Sequence, residues 1–290
     1  MTQRFSHWLT GAMSTLLTPA QLAAAMEAGE VRVLDVQYSL AGDGPTLYAV
    51  AHLPGVPHLD LDAVLAGPPG AGGRHPLPDP EVLEAGLRAV GLREGETVVV
   101  YDQQTSLASA RAWWVLRWAG VADVRVLDGG LAAWRAEGLP VSTEVPEPEE
   151  GDVVVRPGSV PVLDADGAAR VAREGVLLDS RAGERFRGET EPIDAVAGHV
   201  PGARNAPMGE QLAPDGRFRS ADELRSYFAQ LGATAGAEVG TTCGSGVTAA
   251  HTALALHLAG VDATPYIGSW SHWITDPTRP VATGSGSDRD

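Results

Sequence analysis

The sequence predicts an α/β protein made of two copies of one domain, each a mostly parallel sheet flanked by helices. Three observations carry this expectation. Short β-branched runs alternate with stretches of helical period, their order is repeated once along the chain, and a Pro- and acid-rich stretch separates the two halves. At 290 residues the chain has room for two domains, each able to bury its own core.

In the first half, Thr18 followed by Pro19 marks a helix start, QLAAAMEA continues it, and Gly29 stops it before the strand VRVLDV. EVLEAGLRAVGL then predicts a helix, TVVVYD a strand, SARAWWVLRWAG a helix and DVRVLDGG a strand. Strands joined through helices in this way lie parallel. The second half answers in the same order: VRVLDVQ (31–37) by GVLLDSR (175–181), AHLPGVPHLDLD (51–62) by GHVPGARNAPMG (198–209), and TVVVYD (97–102) by EVGTTC (238–243). LRWAGVADVRVLDGGLAAW (116–134) is answered by LHLAGVDATPYIGSWSHW (256–273), and the offset drifts only from 144 residues at Asp35 and Asp179 to 139 at Trp134 and Trp273. STEVPEPEEGDVVVRPGS (142–159) lacks periodicity and suits an exposed linker. The expected division is a first domain over 1–143, a linker over 144–157 and a second domain over 158–290.

Charge narrows the function classes. Lys and Arg total 21 against 37 Asp and Glu, a formal charge of −16, so the surface repels phosphate backbones and anionic lipid. Neither nucleic acid nor membrane partners are expected. No apolar run approaches the roughly 20 residues needed to cross a bilayer, the opening MTQRFSHWLTGAMSTLL lacks a signal-peptide pattern, and TGSGSDRD (283–290) is too polar to pack. A single cysteine, Cys243, allows no internal disulfide, which fits a reducing compartment and makes the cytoplasm the expected location. The histidines have no metal-ligand spacing, so neither a metal nor an organic cofactor is expected.

Overlaying the copies sets Cys243 at the end of a strand, just before a helix and opposite Asp102. Only the second copy can do thiol chemistry, and ligand sites in open α/β sheets lie at that end of the strands. In the loop Cys243-Gly244-Ser245-Gly246-Val247-Thr248 the two glycines permit positive φ and close approach, so the amides of 244–248 can curl around one point. Together with the positive end of a helix expected over 252–260, that cradle favours a thiolate or a terminal persulfide at the sulfur. A lone cysteine is ordinarily a buried, inert residue, and it is the strand, glycine loop and helix around this one that favour a nucleophile. A GxSxG elbow is absent, and residues 244–251 hold none of the arginine that a cysteine phosphatase loop needs.

With CGSGVTA and, in duplicated order, HLPGVPHLDLD, DGGLAAW, DSRAGERFRG, GHVPGA and GSWSHW, nearly the whole chain resembles the two-domain rhodanese-like sulfurtransferases. The active loop resembles the version found in 3-mercaptopyruvate sulfurtransferases. The resemblance implies a catalytically inactive first domain and a persulfide-forming Cys243 in the second. It implies that Ser245, His75 and Asp62 act as a set on the leaving group, that Arg185 holds the donor's anionic end, and that Gly244, Gly246, Val247 and Thr248 line the donor site. Arg181 and Arg187 are expected to be structural or exposed. In one departure, the mercaptopyruvate enzymes carry a second arginine in an EPRxG-like run where this chain has Ile193 and Asp194. The implied reaction moves sulfur from a small anionic donor, 3-mercaptopyruvate, to cyanide or a thiol acceptor such as thioredoxin. Thiosulfate is the alternative donor, and a persulfide carrier fed by a partner protein is the alternative from another class. Because Asp62 and His75 belong to the first copy, a site they share with Cys243 must lie between the domains.

Overall fold

Local chemistry sets the ends of the elements in the computed structural model, which describes residues 14–285; the expectations for residues 1–13 and for the chain beyond 285 lie outside the described residues. The first half runs β1 (Leu16–Leu17), α1 (Pro19–Ala28), β2 (Arg32–Asp35), α2 (Gly44–Val50), α3 (Leu61–Val64), α4 (Pro80–Ala89), β3 (Val98–Tyr101), α5 (Leu107–Trp118), β4 (Val124–Leu127) and α6 (Gly130–Ala136). The second runs α7 (Ala165–Glu174), β5 (Val176–Asp179), α8 (Gly183–Phe186), β6 (Arg204–Asn205), a 3-10 turn (Met208–Gln211), α9 (Ala221–Gln230), β7 (Val239–Thr242), α10 (Val247–Leu258), β8 (Thr264–Pro265) and α11 (Ser269–Trp273). Thr18 closes a capping box with Gln21 at the start of α1, and Gly29, at φ 68°, ends that helix in the left-handed conformation.

Each half forms one all-parallel sheet, in the orders β1-β4-β3-β2 and β6-β5-β7-β8. The two sheets are equivalent once single bridges are counted. Asp35 bridges His58 where the second sheet has β6, and Leu163 bridges Tyr266 where the first has β1. β3, β4, β5 and β7 are buried throughout, as parallel strands are when helices cover both faces.

The domains meet along α5 and α10, whose residues are almost all buried. Helices that are apolar on every side need such a setting. Through them one hydrophobic core runs from Leu34 and Val100 of the first sheet to Leu178 and Val239 of the second. Polar ties flank the seam: the His251 ring bonds the Thr105 carbonyl through Nε2, 3.1 Å, and Gln211 through Nδ1, 3.2 Å, and the Phe218 N–H donates to Asp128, 3.1 Å. The segment expected to be an exposed linker has mostly exposed residues and runs along the first domain. There the Gly151 N–H donates to the Arg88 carbonyl, 2.8 Å, the Arg156 N–H to the Ala119 carbonyl, 2.7 Å, and Val153 is buried.

Candidate active site

β7 delivers Cys243 to the carboxyl end of its sheet. The loop beyond it is only three residues long, because α10 begins at Val247 and not near residue 252 as the sequence suggested. Gly246 makes this possible: its φ is 89°, and a Cβ there would lie 2.2 Å from the Ile267 carbonyl oxygen, so no other residue fits. The Gly246 N–H donates to Cys243 Sγ at 3.1 Å. The Ser269 hydroxyl accepts the Cys243 N–H at 3.1 Å and lies 3.8 Å from the sulfur. Val247 turns its side chain into the core, leaving its backbone for the site, while Thr248 is half-buried. Cys243 itself is 1% exposed.

His75, Asp62 and Tyr38 of the first domain continue a line of side chains from Ser245 of this loop. Ser245 Oγ lies 2.8 Å from His75 Nδ1, His75 Nε2 lies 3.3 Å from Asp62 Oδ1, and the Tyr38 hydroxyl lies 3.4 Å from the same Nε2. Asp60, not Asp62, caps α3, which leaves the Asp62 carboxylate available to the ring. Burial first, then the charges of Arg111 and Arg74, push His75 down to about 4, so the ring is neutral at ordinary pH. With its one proton on Nε2 facing Asp62, Nδ1 accepts the Ser245 hydroxyl. The loop that carries His75 is fixed by Arg111, a fully buried residue of α5 that donates to the carbonyls of Leu65 (3.0 Å), His75 (3.2 Å) and Pro76 (3.0 Å). Burial lowers Arg111 to about 10, and the charge of Cys243 opposes that fall.

Two arginines cover the mouth of the loop. Arg185, in the last turn of α8, donates through Nη2 to Glu191 at 2.7 Å and to Asp194 at 3.1 Å. Arg74, which the sequence did not single out, donates through Nη1 to the same Asp194, and its main-chain N–H donates to Ser271 Oγ at 3.0 Å. A Cβ on Gly244 would sit 3.0 Å from Arg74 Nη2 and 3.7 Å from Arg185 Nη2, so both guanidiniums lie over the loop, and a side chain there would crowd only Arg74. Arg181 is buried against Asp179, 2.7 Å, and Arg187 pairs at the surface with Glu189, 2.7 Å.

The first domain's equivalent loop holds Asp102 in place of the cysteine, and its carboxylate accepts the N–H groups of Gln104, Ser106, Ala108 and Ser109. No thiol chemistry is possible there. Among the described residues no group of His, Cys, Asp and Glu could hold a metal ion, and no helix is long and apolar enough to cross a membrane.

The buried imidazoles give the fold a pH signature. Burial pushes His251 down to about 3, and His75 lies at about 4. Both folded values are depressed, so the stability they confer is fully present above the unfolded pKa of about 6.5. It is lost as pH falls from there toward 4 and below, where the unfolded chain takes up protons that the folded chain refuses. The melting temperature is expected to fall across that window, and in His251→Gln calorimetry should show a shallower slope.

The model of the family described as "Rhodanese-like domain" matches residues 18–137 and 164–276. "Putative thiosulfate sulfurtransferase SseB" of Mycobacterium tuberculosis is 46% identical over 278 residues, covering 93% of this chain and 97% of the relative. "Probable 3-mercaptopyruvate sulfurtransferase" of Pseudomonas aeruginosa is also 46% identical over 278 residues, covering 93% and 98%. Among solved structures, the 3-mercaptopyruvate sulfurtransferase SseA of Escherichia coli superposes with a TM-score of 0.78 at 29% identity, over 89% of this chain and 100% of that one.

Proposed function

The chain belongs to the rhodanese-like sulfurtransferases, and on that premise we propose that it moves sulfur from 3-mercaptopyruvate to a thiol or cyanide through a Cys243 persulfide. Two relatives at equal identity carry names with different donors, so the donor is inferred from the site. The observation that carries the inference is the line Ser245, His75, Asp62, joined at 2.8 and 3.3 Å. Thiosulfate leaves as sulfite, which needs no proton. 3-Mercaptopyruvate leaves as the enolate of pyruvate, whose C3 must be protonated, and a positioned proton relay serves only that donor.

The Cys243 thiolate attacks the donor sulfur. An S–S bond forms, the C–S bond breaks, and its electron pair moves into the enolate. The donor thiol's proton passes through Ser245 to His75, where Asp62 stabilises the imidazolium, and returns to C3. The balance is thiolate plus 3-mercaptopyruvate giving persulfide anion plus pyruvate. A thiol such as thioredoxin's, or cyanide, then attacks the outer sulfur and restores the thiolate. A reduced cytoplasm, where thiol acceptors abound, suits this cycle.

Ser245→Ala is expected to lower kcat with 3-mercaptopyruvate by roughly 10²- to 10⁴-fold while thiosulfate-dependent sulfur loading, read as intact mass, persists. Equal loss with both donors would sink the relay. Loading from thiosulfate alone in the unaltered protein would make it a thiosulfate enzyme, and loading from neither would favour a carrier fed by a partner.

A further inference from the structure

We infer that Arg74, a residue of the first domain, is the second arm of the donor clamp: it binds the donor's carboxylate together with Arg185. The inference rests on the 3-mercaptopyruvate reading. Arg185 spends Nε and Nη2 on Glu191 and Asp194, and Arg74 spends Nη1 on Asp194. Arg185 Nη1 and Arg74 Nη2 make no protein hydrogen bond among the described residues, and they lie 3.8 and 3.0 Å from the Cβ position of Gly244. Two free N–H donors from two guanidiniums thus converge directly over the residue after Cys243. A carboxylate accepts two such donors at once, one on each oxygen.

The surrounding charges sharpen this assignment. Asp194 neutralises one guanidinium and Glu191, shared with Arg181, neutralises most of the other. The mouth therefore grips an anion by directed hydrogen bonds and not by excess positive charge. Ile193, in the run where a second arginine was missed, is exposed, and the guanidinium arrives instead from the opposite domain. Arg74 is held there by its main-chain bond to Ser271 of α11, so its reach depends on how the two domains dock.

The test is steady-state kinetics of Arg74→Gln with 3-mercaptopyruvate as donor and pyruvate as product inhibitor. The KM for the donor and the Ki for pyruvate are both expected to rise about tenfold, the scale of one lost charge-assisted pair, with kcat changing far less. Arg74→Lys should recover part of the pyruvate affinity. A fall in kcat or in melting temperature with the pyruvate Ki unmoved would mean that Arg74 only braces the interface, and an unchanged KM and Ki would also overturn the assignment. If the unaltered protein takes no sulfur from 3-mercaptopyruvate, the donor reading itself fails and the carboxylate clamp falls with it, an outcome visible before any variant is made.

Discussion

Cys243→Ser is expected to abolish sulfur loading and turnover with either donor, a loss of at least ~10⁴-fold, while the fold survives. A serine alkoxide is not accessible at neutral pH, and a hydroxyl on sulfur gives no persulfide to pass on. The fold should persist because Sγ takes only one short hydrogen bond, from the Gly246 N–H at 3.1 Å, which a hydroxyl oxygen also accepts. The experiment is unusually clean because the chain has no other cysteine: any sulfur gained by the variant would have to be non-covalent, and mass spectrometry under denaturing conditions would shed it. Persistent covalent loading in the variant would place the chemistry away from the thiol.

Much of this site was legible in the sequence because strand, glycine turn and helix follow one another locally. Cys243, Gly246 and Ser245 lie within four residues, and duplication showed at once that Asp102 stands opposite the cysteine. His75 and Asp62 could be named only through the family resemblance, since nothing in GGRHPLP fixes where a loop rich in glycine will dock. Arg74 and Arg111 escaped altogether. Their partners, Ser271 and Asp194 for one and the Leu65 and His75 carbonyls for the other, are set by domain packing, and no periodicity encodes it. A signal for Arg74 did exist: it adjoins His75, which the resemblance had already placed in the site. The start of α10 was misplaced by five residues for a local reason, because Val247 and Thr248 are weak helix formers and only the left-handed Gly246 reveals that the helix has already begun.

Asp102→Ala is expected to be the most destabilising single change in the first domain, on the order of 3–5 kcal/mol, or roughly 10 °C in melting temperature. Asp102 is 2% exposed, and burial raises its pKa against the pull of four backbone amides. Oδ1 accepts from Gln104 and Ser106, 3.1 Å each, and Oδ2 from Ala108 at 2.9 Å and Ser109 at 3.2 Å. Atom for atom, the side chain Cβ–Cγ–Oδ matches Cβ–Sγ–S of a persulfide. Ser106, at φ 58°, stands where Gly246 has φ 89°, and each donates its N–H to the group at the strand end. The first domain's loop is thus an amide cradle filled by a carboxyl group, and removing that group leaves four buried N–H donors without their acceptor. Asp102→Asn, which keeps one acceptor, should lose about half as much. A melting temperature unmoved by Asp102→Ala would mean that these N–H groups do not require an acceptor, and the same argument for a persulfide sulfur held by the Gly246 N–H would lose its support.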